Sequence, residues 1–340
     1  MKKSNQRKKS NKKNARFKKR ANKINKPKKT NTIAIVAAGT GGHIFPGIAI
    51  AEQCKQKVIF LGSKDRIENK IIPHYKCELK KIDIPRDKIS IFKTIKTARK
   101  ILKEIRPRKL ITFGGYISFP FVIAARWLRI PVILHEQNTI PGLTNRVVSL
   151  FSKKVCITYP QSKRYFLQKK KIIHTGNPVR KSIIKAARNK KSHKKIKNIF
   201  IFGGSQGAQR FDIVAEQLKK KKYKVHYLGR NSFSFNMEKY FQKADLVICR
   251  AGATSLAEIA CFDLPAILIP YPHATNNHQW HNAQYFVKNK AAYVVPQSML
   301  SIKILTDIMK TINLSAMQKN MKKLADPQSA QKMVEIINKK

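Results

Sequence analysis

The sequence predicts an α/β fold made of two Rossmann-like halves, each built on a parallel sheet. Three observations carry that expectation. Short apolar runs alternate with helical segments from Thr32 onward, and continuous apolar strands between helices mark parallel sheets covered on both faces. The pattern then restarts at "KNIFIFGGSQGAQ", so each half opens with a strand, a glycine loop ("VAAGTGGH" and "IFGGSQGA") and a helix. Finally, 340 residues are enough for two ordinary domains with a sizeable core in each.

The elements follow in order. Residues 1–30 are basic and of low complexity, cannot build a core, and read as a disordered tail. "TIAIVAA" is the first strand, followed by a helix with apolar Ile48, Ala49 and Ala51. "KVIFLG" is the second strand, and the apolar helix "FPFVIAARWL" separates "KLITFGGY" from "IPVILHEQN". "KKVCITY" and "KIIHTGNPVR" close the first half. In the second half "YKVHYLGR", "ADLVICRAGATSLAEIA" and "LPAILIPYP" supply further strands.

Charge and composition narrow the function classes. There are 72 basic residues against 17 acidic, a net charge of +55, of which the first 30 residues hold +15. Such a surface favours phosphate-rich partners: nucleic acid, anionic lipid or nucleotide. Outside the tail, compositional drift toward Lys, Asn and Ile is the larger cause. No apolar run reaches the roughly 18 residues of a membrane-spanning helix, and no apolar signal segment opens the chain, so export is not expected. The five cysteines form no close pair and read as free thiols, with no disulfide frame and no zinc site.

Both glycine loops place bare backbone N–H groups at a helix N-terminus on the C-terminal edge of a sheet, where open α/β sheets bind ligands and phosphate. Neither is a Walker A motif. Gly39-Thr40-Gly41-Gly42 lacks the third spaced glycine of a dinucleotide fingerprint, with no acid about 20 residues on. Each loop alone is equally a tight turn for strand–helix packing. Glu258 lies in the helix after "ADLVI", where a carboxylate can accept both hydroxyls of a ribose. The alternative is a solvated helix glutamate, less favoured in a chain with 17 acids.

The motifs "GTGGHIFPGIAIAE", "FGGYISFP", "LHEQNTIPGLTNR", "TGNPVR", "FGGSQGA" and "ADLVICRAGATSLAEIACFDLPAILIPYPHATNNHQWHNA" occur in that order. Together they closely resemble the lipid II-forming glycosyltransferases of family 28. Those enzymes move N-acetylglucosamine from its UDP sugar onto undecaprenyl-pyrophosphoryl-N-acetylmuramyl-pentapeptide, lipid I. The resemblance covers about residues 32–335. It implies a GT-B fold with two Rossmann-like domains facing a cleft, one inverting displacement, no cofactor and no obligatory metal. It also implies an acceptor and membrane-side domain over 31–178, a UDP-sugar donor domain over 179–320, and a C-terminal helix over 321–340 packing back on the first domain.

By the same resemblance, Thr40, Gly41 and Gly42 lie near the donor sugar and diphosphate. His43 faces the acceptor as general base, a task its ordinary pKa suits; a packed histidine capping a turn is the alternative. Asn138 contacts the donor sugar. Glu136 is a second catalytic candidate, and with His135 it either orients the acceptor or braces the loop. Arg180 and Ser205 hold the diphosphate, and Ser234 and Met237 flank the uracil. Arg250, Ala253, Thr254, Ser255 and Leu256 line the nucleotide, Glu258 takes the ribose, and His278 and Gln279 contact sugar hydroxyls. Four features depart from the family pattern. Phe119 stands where glycine is usual and would crowd the acceptor side. Asp212 lies near a usual asparagine, the stretch between Gly207 and Asp245 is short, and the basic tail is extra.

The segment "ISIFKTIKTARKILKEI" places Ile91, Ile95, Ala98, Leu102 and Ile105 on one helix face and Lys93, Lys96, Lys100 and Lys103 on another. The apolar stripe reads as core. The basic stripe, with Phe92, reads as a footprint on an anionic membrane surface, at about 1 kcal/mol per near-surface lysine. The resemblance implies a peripheral position on the cytoplasmic face of the bacterial inner membrane, with other cell-wall and division proteins as candidate partners. Two rival classes remain. One is another UDP-sugar glycolipid transferase of the same fold, against which "HEQN", "NPVR" and "HQWHNA" together argue. The other is a nucleic-acid-binding protein; there is neither a recognition motif nor an aromatic stacking platform, so no specific nucleic acid is expected.

Overall fold

The structure, a computed structural model, describes residues 30–64, 66–82, 91–191, 193–203, 209–221, 223–229 and 234–339. Almost all of the basic tail and Ser205 of the second glycine loop lie outside the described residues. In the first half, β1 (Thr32–Val36), β2 (Lys57–Ser63), β3 (Glu78–Ile82), β4 (Lys109–Thr112), β5 (Val132–Glu136), β6 (Lys154–Ile157) and β7 (Ile172–His174) form one sheet in the order β3-β2-β1-β4-β5-β6-β7. In the second half, β8 (Asn198–Phe202), β9 (Lys224–Leu228), β10 (Leu246–Cys249), β11 (Ala266–Leu268) and β12 (Ala292–Val294) form another, ordered β12-β11-β10-β8-β9. The central pairings are parallel, as in Ile33 with Val58 and Val247 with Ala266.

The continuous apolar runs are split by the two-residue period of a strand. Along β1, Ala34 and Val36 enter one core and Ile33 and Ile35 the core on the opposite face. Along β8, Phe200 and Phe202 face one side and Ile199 and Ile201 the other. Each sheet is therefore buried on both faces, which fixes its loops as the accessible edge.

The helix Ile91–Ile105 buries Ile95, Ala98, Leu102 and Ile105 and leaves Phe92, Lys93, Lys96, Lys100 and Lys103 exposed. Its apolar stripe is core, as its spacing implies. Phe119, at the second position of the helix Ser118–Trp127, is half-buried and packs against the same first-domain core.

The end of the chain serves both halves. The helix Leu314–Leu324 puts Met321 into the second-domain core, whereas the helix Ser329–Asn338 puts Met333 and Ile337 beside Ile33, Ile35 and Ile48 of the first. At the crossing, the Ser329 hydroxyl donates to the Asn177 carbonyl at 2.7 Å. Gly176 sits there at φ +72, where an added Cβ would lie 2.7 Å from an Asp326 carboxylate oxygen, so the position requires glycine on two counts.

Candidate active site

The segments following β1, β5 and β10 converge on one cavity of about 670 Å³ between the halves. On the first side, Gly39 at φ +89 turns the chain from β1 into the helix Gly41–Ala51. Its N-cap Thr40 makes no side-chain cap, so the first helical amides keep their place at the cavity without a side-chain partner. Pro46 has no N–H, and the Gly42 carbonyl therefore lacks its partner one turn on. Thr254 of the opposite domain supplies one: its hydroxyl donates to the Gly42 carbonyl at 3.1 Å.

His43 lines the cavity. Its Nδ1–H donates to the Ala38 carbonyl at 3.1 Å, which leaves the Nε2 lone pair toward the cavity. Burial holds the imidazole below its ordinary pKa, with the Ala38 bond pulling the other way and His278 across the cleft adding to the depression. The ring is thus neutral near pH 7 and able to take a proton at Nε2.

On the second side, Arg180 and Glu258 form a buried ion pair. Arg180 Nε and Nη2 both donate to Glu258 Oε1, at 3.1 and 2.8 Å. The remaining fork atom, Nη1, donates to the Tyr75 hydroxyl at 2.6 Å, and the guanidinium lies 4.3 Å over the Phe45 ring. Both of those aromatic residues belong to the first domain. Burial pushes the Glu258 carboxyl up and Arg180 pulls against that rise. The bonds formed occupy Oε1 and leave Oε2 as the free acceptor at the cavity.

Most expected residues meet here: Thr40, Gly41, Gly42, His43, Asn138, Arg180, Ser234, Met237, Arg250, Ala253, Thr254, Ser255, Glu258, His278 and Gln279 all line the cavity. Gln279 Oε1 accepts from the Tyr271 amide at 2.9 Å, and His278 Nδ1–H donates to the Thr275 carbonyl at 2.8 Å. Both arginines also have partners within the protein. Arg180 bonds Glu258 and Tyr75, which orients the carboxylate. Arg250 spends its fork on the Ile269 and Pro270 carbonyls and on Gln297, sandwiched by Phe211 and Tyr271, and braces the edge of the sheet.

Two expected residues do not reach the cavity. Leu256 is fully buried in the second-domain core, because the helix Ala253–Cys261 turns that position inward. Glu136 is only 1 % exposed. Its Oε2 accepts from Asn145 Nδ2 at 2.6 Å and its Oε1 from the Asn138 amide at 2.8 Å, which makes it a brace for the loop carrying Asn138. Burial lifts its carboxyl to about 7. His135 is a brace as well. It is buried, donates from Nε2 to the Gly176 carbonyl at 2.9 Å, and is held down to about 4 by burial.

Three contributors escaped the sequence reading. Glu68 is wholly buried and accepts from the Gly39 amide at 3.1 Å and the Ser63 amide at 3.0 Å. Its signal was an acid opening the helix after β2, farther along than a dinucleotide fingerprint places one. Asn282 is a staple between the domains. Its Oδ1 accepts from the Thr139 amide at 2.9 Å while its Nδ2 donates to Asn138 Oδ1 at 3.0 Å and to the Ala251 carbonyl at 3.2 Å. It lies within "HQWHNA", which drew notice only as a motif. Tyr75 carried no signal.

Two Rossmann-like sheets with a cavity at their facing edges define a GT-B fold. The profile of the glycosyltransferase family 28 N-terminal domain matches residues 33–157, and that of the C-terminal domain residues 214–339. The UDP-N-acetylglucosamine--N-acetylmuramyl-(pentapeptide) pyrophosphoryl-undecaprenol N-acetylglucosamine transferase of Psychromonas ingrahamii is 35% identical, over 90% of this chain and 98% of its own. The enzyme of the same name from Halothermothrix orenii is 34% identical over similar spans. Among solved structures, MurG of Acinetobacter baumannii superposes with a TM-score of 0.75 at 28% identity, covering 91% of this chain and all of that one. The chain belongs to the family of UDP-N-acetylglucosamine--N-acetylmuramyl-(pentapeptide) pyrophosphoryl-undecaprenol N-acetylglucosamine transferases.

Proposed function

We propose that this chain transfers N-acetylglucosamine from UDP-N-acetylglucosamine to lipid I, giving lipid II in peptidoglycan synthesis. The observation that carries the residue-level reading is the pairing, in one cavity, of a neutral His43 with Nε2 free and a Glu258 carboxylate with Oε2 free. Glu258 takes the ribose of the donor, aimed by Arg180. Thr40, Gly41 and Gly42, with the helix N-terminus behind them, face the diphosphate, and Asn138, His278 and Gln279 face the sugar. The acceptor hydroxyl gives its proton to His43 Nε2 as its oxygen bonds to the anomeric carbon. The bond from that carbon to the diphosphate oxygen breaks at the same time, and UDP leaves with the electron pair. Amide N–H groups at the helix start stabilise the developing charge. One displacement inverts the anomeric centre. The test is transfer of labelled N-acetylglucosamine from the UDP donor to a lipid I analogue; a protein that hydrolyses or ignores the donor without forming lipid II refutes the reading.

The membrane reading rests on the first domain. No helix among the described residues is long and apolar enough to cross a membrane. Phe92 is 71% exposed at the start of a helix whose outward face carries Lys93, Lys96 and Lys100. That combination of an apolar tip and a cationic stripe suits peripheral contact with an anionic bilayer at the cytoplasmic face of the inner membrane, where lipid I would be met. Lys93→Glu/Lys96→Glu/Lys100→Glu is expected to weaken co-sedimentation with anionic vesicles, by less at high salt. Equal sedimentation of the variant and wild type at low salt would assign the contact elsewhere.

A further inference from the structure

The peptide group between Ala38 and Gly39 is bonded at both ends. Its carbonyl accepts the His43 Nδ1–H at 3.1 Å, and its N–H donates to Glu68 Oε2 at 3.1 Å. We propose that Glu68 is a positioning residue for His43, acting through this single peptide group. The inference rests on the reading of His43 as the general base.

The physical argument is polarisation. An amide whose N–H is held by a carboxylate becomes a better acceptor at its carbonyl, since hydrogen bonds in a chain strengthen one another. The Ala38 carbonyl therefore fixes the proton on Nδ1, keeps Nε2 as the lone-pair nitrogen, and stabilises the imidazolium formed when Nε2 takes the acceptor proton. A carboxylate bonded directly to a catalytic imidazole does this in hydrolase triads; here a peptide unit stands between the two.

The seat of Glu68 is built for a charge. The residue is fully buried, and its other oxygen, Oε1, accepts from the Ser63 amide at 3.0 Å and from the Ser63 hydroxyl. Gly62 gives room for it, as a Cβ there would lie 2.9 Å from Glu68 Cγ. Among the described residues, charged or titratable groups that face this array include Arg66, whose guanidinium reaches toward Gly39, and His278 across the cleft. Neither hydrogen-bonds the peptide.

The experiment follows the His43 ring nitrogens by ¹⁵N NMR across pH in the full chain, in wild type and Glu68→Gln, beside the pH profile of kcat. In wild type the neutral ring should carry its proton on Nδ1. In Glu68→Gln the ring should titrate at lower pH and the acidic limb of kcat should move with it. There kcat should fall by roughly 10-fold or more, the size seen when the hydrogen-bond partner orienting a metal-ligating histidine is lost. KM for UDP-N-acetylglucosamine should hold. Glu68→Asp, which withdraws the carboxylate from the Gly39 amide by one methylene, should give a smaller shift in the same direction and serves if the glutamine variant does not fold. Ser63→Ala loosens the same seat but keeps the charge, so its ring titration should match wild type. Unchanged ring titration in the Glu68 variants overturns the proposal, and so does a Ser63→Ala shift as large as that of Glu68→Gln. A His43→Ala protein with wild-type kcat would instead overturn the general-base reading, and the ring titration would still decide the role of Glu68.

Discussion

The helices Gly41–Ala51 and Ala253–Cys261 are alike in form, each one loop beyond an inner strand of its sheet and each entered through an extended N-cap without a side-chain cap. They face one another across the cavity and carry opposite chemistry. The first offers backbone and one neutral ring: Gly41, Gly42 and His43. The second offers side chains: Thr254, Ser255 and the carboxylate of Glu258. The difference follows from what each must keep. A base must keep a lone pair unspent, so His43 is held through its other nitrogen by a backbone carbonyl. A buried carboxylate must keep its charge, and a direct guanidinium contact is the strongest way to do that. Two helix starts of the same form are thus specialised by how their polar groups are held.

The largest expected effect tests the first helix. His43→Ala should lower kcat by roughly 10²–10⁴-fold while UDP-sugar binding stays near normal. A folded variant with near-wild-type kcat and weaker donor binding would make His43 a packing residue and erase the contrast. The second helix is tested on stability. Arg180→Ala strands the Glu258 carboxylate in the interior, and losing one partner of a buried pair costs about 3–5 kcal/mol. Glu258→Ala should in addition weaken UDP binding by about 1–3 kcal/mol, the cost of leaving hydroxyl partners unpaired. Calorimetry giving unchanged UDP affinity for that variant would remove Glu258 from the ribose site.

How much of this the sequence revealed depended on whether a residue acts locally. The parallel sheets, both glycine loops and the burial of Ile95, Ala98, Leu102 and Ile105 were legible, because apolar runs and helical spacing are local signals. Most cavity residues were legible because they sit in loops following strands. Partnerships were not. That Arg180 would meet Glu258 and Tyr75, or Asn282 meet Asn138, depends on contacts between residues 78, 105 and 144 positions apart. Glu136 could be read either as orienting the acceptor or as bracing its loop, and the contact that favours bracing, the Asn145 amide reaching it from the next helix, is likewise invisible in the sequence. Leu256 was misplaced by treating a continuous motif as a continuous surface, whereas a helix alternates its faces.

Two of the buried acids, Glu258 and Glu136, extend the comparison to pH. Glu258 has a cation; Glu136 has only amides and is pushed up to about 7, while its neighbour His135 is held at about 4. An acid whose folded pKa is raised contributes stability below its unfolded value, near 4.3, that is lost as pH climbs through 7. A histidine whose folded pKa is depressed contributes stability above about 6.5 that is lost as pH falls toward 4. The two slopes are opposed over roughly pH 4.5 to 6.5 and should largely cancel. Glu136→Gln removes one of them. Its melting temperature should therefore fall more steeply with acidification over that window than that of wild type, by scanning calorimetry. Parallel curves would mean that Glu136 is ionised in the folded protein.

The smallest expected effect concerns the bond that joins the two helices. The Thr254 hydroxyl donates to the Gly42 carbonyl and accepts from Asn177 Nδ2 at 3.3 Å. Thr254→Val keeps the shape and removes both bonds, at about 0.5–1.5 kcal/mol each. The carbonyl is available only because Pro46 has no N–H to offer it. Pro46→Ala restores that N–H, so the same carbonyl gains a partner within its own helix. If the free carbonyl is what makes the bond between domains worth forming, Thr254→Val should cost less in the Pro46→Ala background than in wild type. Residues that share a partner are expected to be non-additive in this way, with coupling of about 0.5 kcal/mol or more. Urea unfolding of the four proteins of that cycle measures it. Additivity within error would show that the carbonyl serves both partners independently, and the proline would then be a feature of the helix and not of the closed cleft.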